Sequence, residues 1–141
     1  MRFWNGRTNL MLLAIVGFLA SIRSVSARDM ERELLGAWAT SASDCAKTFE
    51  RRGENWVFRQ PIDEFAQAAI IESERIVAPT GTCEVKGVAR TNDVLTVTGV
   101  CDDSVSYMNR TAQIIVKGKD EIVYSPTGDP ALNTDFQRCL P

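Results

Sequence analysis

TCEVKGVARTNDVLTVTGVCD, residues 82–102, is the stretch on which the fold turns. Two runs of alternating polarity, 82–90 and 94–102, flank Thr91-Asn92-Asp93, a turn-forming triplet of hairpin length. If Arg90 faces Val94 across the turn, Cys83 falls opposite Cys101. The same register sets Cys83, Val85, Gly87 and Ala89 against Cys101, Gly99, Val97 and Leu95 on an inward face, each larger aliphatic meeting a small residue. Glu84, Lys86, Arg90, Thr96 and Thr98 then point outward. A slip of one residue would exchange the faces, so polarity and cysteine placement support one register. Directly opposed residues bring their Cβ atoms close to the separation a disulfide needs, so Cys83 is expected to bond Cys101. The chain has four cysteines, and by elimination Cys45 pairs with Cys139.

Further strands flank this hairpin. Residues 111–117 (TAQIIVK) and 121–125 (EIVYS) surround Gly118-Lys119-Asp120, and opposing Lys117 with Glu121 puts Val116 beside Ile122 and Ile114 beside Tyr124. Residues 36–40 (GAWAT), 55–60 (NWVFRQ) and 136–139 (FQRC) read as short strands, the first two anchored by Trp38 and Trp56. Seven or eight short strands at regular spacing make the chain mainly β, a small antiparallel barrel or sandwich. One segment reads differently: Ile62, Phe65, Ala66, Ala69, Ile70 and Ile76 follow helical spacing, with Pro61 and Asp63-Glu64 suited to a first turn, so local pattern predicts a helix over 61–77.

The N-terminus reads as an export signal. Arg2 and Arg7 precede an apolar run at 10–20 (LMLLAIVGFLA), and Val25-Ser26-Ala27 offers small residues for cleavage after Ala27. That run is short of the roughly 20 residues a membrane span requires, so no stable membrane insertion is expected once residues 1–27 are removed. The chain carries 16 Lys and Arg and 18 Asp and Glu; Arg2, Arg7 and Arg23 leave with the signal, and the domain 28–141 keeps 13 against 18, a net charge of −5. That balance argues against nucleic acid as a partner, because phosphate binding needs a concentrated basic surface. A periplasmic or secreted location follows, where disulfides are the normal state of cysteine pairs.

Catalytic machinery is not legible. With no histidine in the chain, Ser-His and Cys-His nucleophiles are excluded, and cysteines committed to disulfides leave no free thiolate. Neither a CxxC pair nor a phosphate-cradling glycine loop is present, so no metal and no cofactor are expected. Carboxylate pairs remain, with Asp102-Asp103 and Asp63-Glu64 as candidates for a hydrolase. Adjacent residues on a strand or turn point to opposite sides, so both doublets read as solvated loop charges and the chain as a non-enzyme. An unidentified protein or a small apolar ligand is the expected partner, with Trp56 and Tyr124 as ligand-facing candidates. At this chain length the expectation is nevertheless a filled interior.

The order LLGAWATSASDCAKTF (34–49), a basic loop at Arg51-Arg52-Gly53, Ile70-Ile71-Glu72 before Arg75-Ile76, the paired cysteines and a terminal FQRCLP (136–141) resembles a set of small exported proteins of unknown function from rhizobial and related α-proteobacteria. Members usually carry glycines where this chain has Gln67-Ala68-Ala69, which implies a β-hairpin at 68–77; we therefore expect strands there. Leu34-Leu35-Gly36-Ala37-Trp38 also resembles the G-x-W opening of calycin (lipocalin-like) β-barrels. That resemblance implies a short N-terminal helix over 29–35 and a barrel-closing pair, with Arg138 packed over Trp38. Gly36, Trp38 and Cys45 are similar, too, to the opening of periplasmic inhibitors of bacterial metalloproteases, which implies residues 28–30 as a trunk entering a protease cleft. This chain has four cysteines where that pattern has two.

Overall fold

The computed structural model describes residues 26–27 and 29–141. The expected signal, residues 1–27, lies outside the described residues except for its last two. In chain order the elements are β1 (Ser26–Ala27), a 3-10 turn (Arg32–Leu34), β2 (Gly36–Ala39), α1 (Ala42–Thr48), β3 (Phe49–Arg52) and β4 (Asn55–Phe58). There follow β5 (Ala68–Ile71), β6 (Arg75–Ala78), β7 (Gly81–Thr91), β8 (Val94–Asp102), β9 (Tyr107–Gly118), β10 (Glu121–Ser125), a second 3-10 turn (Pro130–Leu132) and β11 (Thr134–Arg138).

Eight of these strands close a barrel. From β5 to β11 each strand pairs antiparallel with the next, β11 returns to β2, and β2 pairs with β5. Closure removes free sheet edges, the usual liability of a small β protein. The segment between β2 and β5 leaves the wall: α1 and the β3–β4 hairpin pack against the barrel's outside. That packing explains the composition of β2. Trp38 faces the interior, while Ala37 and Ala39 are small enough to let Phe49 and Phe58 sit against the outer wall with Ala68 and Ile70. The domain thus has two apolar clusters, one inside the barrel and one outside it.

Both expected disulfides are present, Cys83–Cys101 across β7 and β8 and Cys45–Cys139 from α1 to the chain's end. The hairpin register holds from the cysteines to Val85↔Gly99 and then shifts by one residue. Lys86 is bulged out, Gly87 faces Thr98, and the turn is the two-residue Asn92-Asp93, not a triplet. Arg90 therefore opposes Leu95 where Ala89 was expected, Val88 takes the buried position opposite Val97 expected for Gly87, and Ala89 is exposed. Asn92, at φ 54°, supplies the left-handed conformation a two-residue turn requires. The β9–β10 hairpin repeats the device: Val116↔Ile122 and Ile114↔Tyr124 are as expected, but Glu121 faces Gly118 and Lys117 is skipped, so the Lys117–Glu121 pairing does not form. In both cases a two-residue turn wins and a bulge absorbs the extra residue.

Residues 68–77 form a hairpin, with Ile70↔Val77 and Ile71↔Ile76, so the helix suggested by local spacing is replaced by strands. The N-terminal helix expected over 29–35 reduces to one 3-10 turn. Gly81 sits where β7 crosses the end of β8, and a Cβ built there would lie 2.2 Å from the Asp102 carbonyl oxygen. Gly81→Ala is expected to cost about 1–3 kcal/mol by forcing the strands apart, read as a lower urea midpoint with an unchanged slope.

Candidate functional site

The barrel's two ends differ. At the end holding the β7–β8 and β9–β10 turns, the chain before β2 folds across the opening and buries Met30 and Leu34 against Leu95, Ile114 and Val88. Trp38 lies above this plug, 1% exposed, its indole N–H donating to the Leu34 carbonyl at 2.8 Å. The Arg138 guanidinium is stacked 4.3 Å from the Trp38 ring centroid. It donates to the carbonyls of Leu35 (2.7 Å), Glu33 and Lys119 and to the Asp120 carboxylate (3.1 Å). One side chain from the chain's end thereby ties the entering segment, the β9–β10 turn and the barrel floor together.

A second cation clamps the plug from the other side. Arg90 on β7 donates to the carboxylates of both Glu31 and Glu33. The hydrogen bond from Arg90 holds the Glu33 carboxyl below the usual glutamate range, with further lowering from the Glu31 side chain and from the charge of Arg138. A lowered native pKa contributes stability that is present above the unfolded value and lost as pH falls through the native one. The urea midpoint is expected to fall below about pH 4. Arg90→Gln should flatten that acid limb by lowering the neutral-pH midpoint slightly and leaving the acid one in place, a small effect because the cluster is partly solvent-exposed.

Above Trp38 the interior is open. A cavity of about 370 Å³ extends from the Trp38 ring toward the opposite end, walled by Ile71, Val85, Val97, Ile122 and Phe136 and by the Cys83–Cys101 bridge. Small side chains create the space: Ala69 and Ala112 occupy wall positions where larger ones would fill it, whereas Gly99 is set by a close backbone approach, a Cβ there lying 2.7 Å from the Glu84 carbonyl oxygen. The expectation of a filled interior is therefore corrected: Met30 and Leu34 pack into the plugged end, and the half above Trp38 is hollow. Glu64, Thr80, Arg110, Tyr124 and Thr134 supply polar groups to the lining.

Sequence candidates separate clearly against this geometry. Trp38 and Arg138 are brought together at the floor, and Tyr124 lines the cavity. Trp56 does not line the cavity: it lies on β4 outside the barrel, edge-on to Phe49 with Arg51 stacked 5.0 Å from its ring. Alternation told that Trp56 faces one side of a strand, but β4 belongs to the outer hairpin and not to the wall. Cys45 and Cys139 belong to the outer cluster as well. The carboxylate doublets shape turns: Asp102 accepts from the Ser104 N–H, Asp103 from the N–H groups of Val105 and Ser106 and the Ser106 hydroxyl, and Asp63 from the Phe65 N–H. Those bonds, the Ser106 N–H foremost, keep the Asp103 carboxyl below its ordinary pKa. Met30, expected in a protruding trunk, is buried in the plug with its N–H bonded to the Ser73 carbonyl.

Among the described residues there is no cluster of metal-ligating side chains, and no helix is long and apolar enough to cross a membrane. Comparison with known protein families, curated proteins and solved structures finds no match. Fold and site together define a class all the same: a disulfide-linked, eight-stranded up-and-down β-barrel, plugged at one end and hollow at the other.

Proposed function

We propose that this protein is a non-enzymatic binding protein of the periplasm or extracellular space that takes a small apolar ligand into its barrel. The observation that carries this reading is the cavity, whose volume falls in the roughly 300–1,000 Å³ range of small-molecule sites and whose walls are mainly hydrocarbon. A chain of this size gains stability by filling its core, so a void bordered by Ala69 and Ala112 represents forgone packing that a ligand would restore. Two disulfides and an export-type N-terminus support the compartment. The non-enzymatic reading is supported by Glu64 standing as a single carboxylate in the lining and by the commitment of Asp102 and Asp103 to turn hydrogen bonds.

The test is titration with N-phenyl-1-naphthylamine, using a variant with Trp4→Phe and Trp56→Phe so that Trp38 reports from the cavity floor. Saturable one-to-one binding with quenching of Trp38 is expected. Ala112→Phe, which places a ring in the cavity, should weaken that binding by about tenfold or more, while its thermal midpoint stays level or rises. A naphthylamine signal unaltered by Ala112→Phe, or none at all in the folded protein, would remove the proposal.

A further inference from the structure

The open end carries an asymmetry that the interior cavity does not explain. Large apolar side chains left in water gather around the mouth: Ile62 and Phe65 before β5, Val105 between β8 and β9 with Tyr107 at the start of β9, and Leu132 between β10 and β11. Phe65 and Val105 are each 93% exposed and Tyr107 73%. Single exposed apolar residues are ordinary, but a rim built from three separate loops around one opening is the pattern of an interaction surface. Charge is distributed just as unevenly. At the plugged end Glu31, Glu33, Glu72 and Asp120 are paired with arginines, and the remaining carboxylates of Glu74, Asp93 and Glu121 share that end with the cations Arg32, Lys117 and Lys119. Asp63, Glu64, Asp102, Asp103 and Asp129, on the open-end loops or bordering them, have no basic group within 4.0 Å among the described residues; Arg110 is the cation nearest the mouth lining.

We propose that this rim docks a cationic amphipathic peptide segment, whose apolar face covers Ile62, Phe65, Val105, Tyr107 and Leu132 while its Lys or Arg side chains meet the unpaired carboxylates. Electrostatic complementarity selects that occupant. An anionic lipid surface would set its head groups against five carboxylates, whereas a basic segment neutralises them and is steered toward the mouth by their field. Aromatic and aliphatic tips at the centre with charges around them match the anatomy of peptide-binding surfaces. This docking does not depend on whether the cavity below is occupied.

A fluorescent 14-residue Leu/Lys helical peptide is the probe, compared with its Leu/Glu counterpart and with phosphatidylcholine vesicles with and without phosphatidylglycerol. Binding of the Leu/Lys peptide is expected, weakening with salt, with no binding of the Leu/Glu peptide or of vesicles. Phe65→Ser with Val105→Ser should reduce affinity about tenfold, and Leu140→Ser at the plugged end should not change it. Glu64→Lys, a surface change that leaves the apolar rim intact, should weaken the Leu/Lys peptide and admit the Leu/Glu one. Rim-dependent binding to vesicles in place of the peptide would assign the surface to lipid and overturn the proposal. So would peptide binding that ignores both rim and charge variants.

Discussion

Arg138→Met lowers the unfolding free energy by about 3 kcal/mol and moves Trp38 fluorescence toward that of a solvated indole, because one guanidinium holds the plugged end shut. Methionine retains an unbranched apolar stem but removes every donor. The Leu35 carbonyl, reached at 2.7 Å, then loses its partner in a part-buried site, at a cost of about 1–3 kcal/mol. Glu33 and Lys119 carbonyls lie nearer water and recover part of their loss. The Asp120 pair adds little, since that carboxylate is 42% exposed. Stacking on the Trp38 ring contributes about 0.5–2 kcal/mol more.

Two companion variants separate these parts. Arg138→Lys keeps the charge, but a single ammonium does not reproduce a planar fork that spans Leu35, Glu33 and Lys119, so more than half the loss should persist. A double-mutant cycle with Trp38→Phe isolates the stacking contribution. Urea unfolding followed by circular dichroism gives each value. A loss below about 1 kcal/mol for Arg138→Met would mean that Met30 and Leu34 close the barrel by packing alone.

Which of these features was legible beforehand follows from how many faces of each segment are buried. In residues 94–102 the odd positions Leu95, Val97, Gly99 and Cys101 face inward as their alternation implied, because no residue on the other face of β8 is buried. The bulge at Lys86 was not legible: Lys86 and Gly87 satisfy either register locally, and the choice rests on the two-residue turn at Asn92-Asp93. Residues 68–71 misled for a physical reason. Ile70 faces the outer cluster and Ile71 the barrel interior, so a strand buried on both sides shows no alternation and imitates a helix face. Helix α1 escaped notice because none of its residues is buried and no apolar stripe marks it. The cavity has its signal in Ala69 and Ala112, small residues on neighbouring walls that leave space, whereas Gly99 opposite Val85 answers a close approach of the Glu84 backbone.

Removing the Cys45–Cys139 bridge with the double change Cys45→Ala and Cys139→Ala is expected to cost roughly 4–5 kcal/mol, against about 3 kcal/mol for Cys83→Ala with Cys101→Ala. The difference follows from the sequence separations, 94 residues and 18. In the native state the long bridge also has a local task that the short one lacks. Cys83 and Cys101 are already held by the β7–β8 ladder, whereas α1 contributes no buried side chain and meets the wall chiefly through Cys45 at the edge of the outer cluster. Without the bridge, residues 42–58 should lose amide protection well before the barrel does, exposing the apolar surface of Phe49 and Phe58. The Cys83–Cys101 double variant should instead unfold in one step, since nothing in the wall depends on that bond for its placement. Hydrogen exchange resolved along the chain, alongside urea denaturation, distinguishes the two: equal losses with uniform exchange in both variants would show that α1 and the β3–β4 hairpin are held by Phe49 and Phe58 alone, and that the long bridge acts only on the unfolded chain.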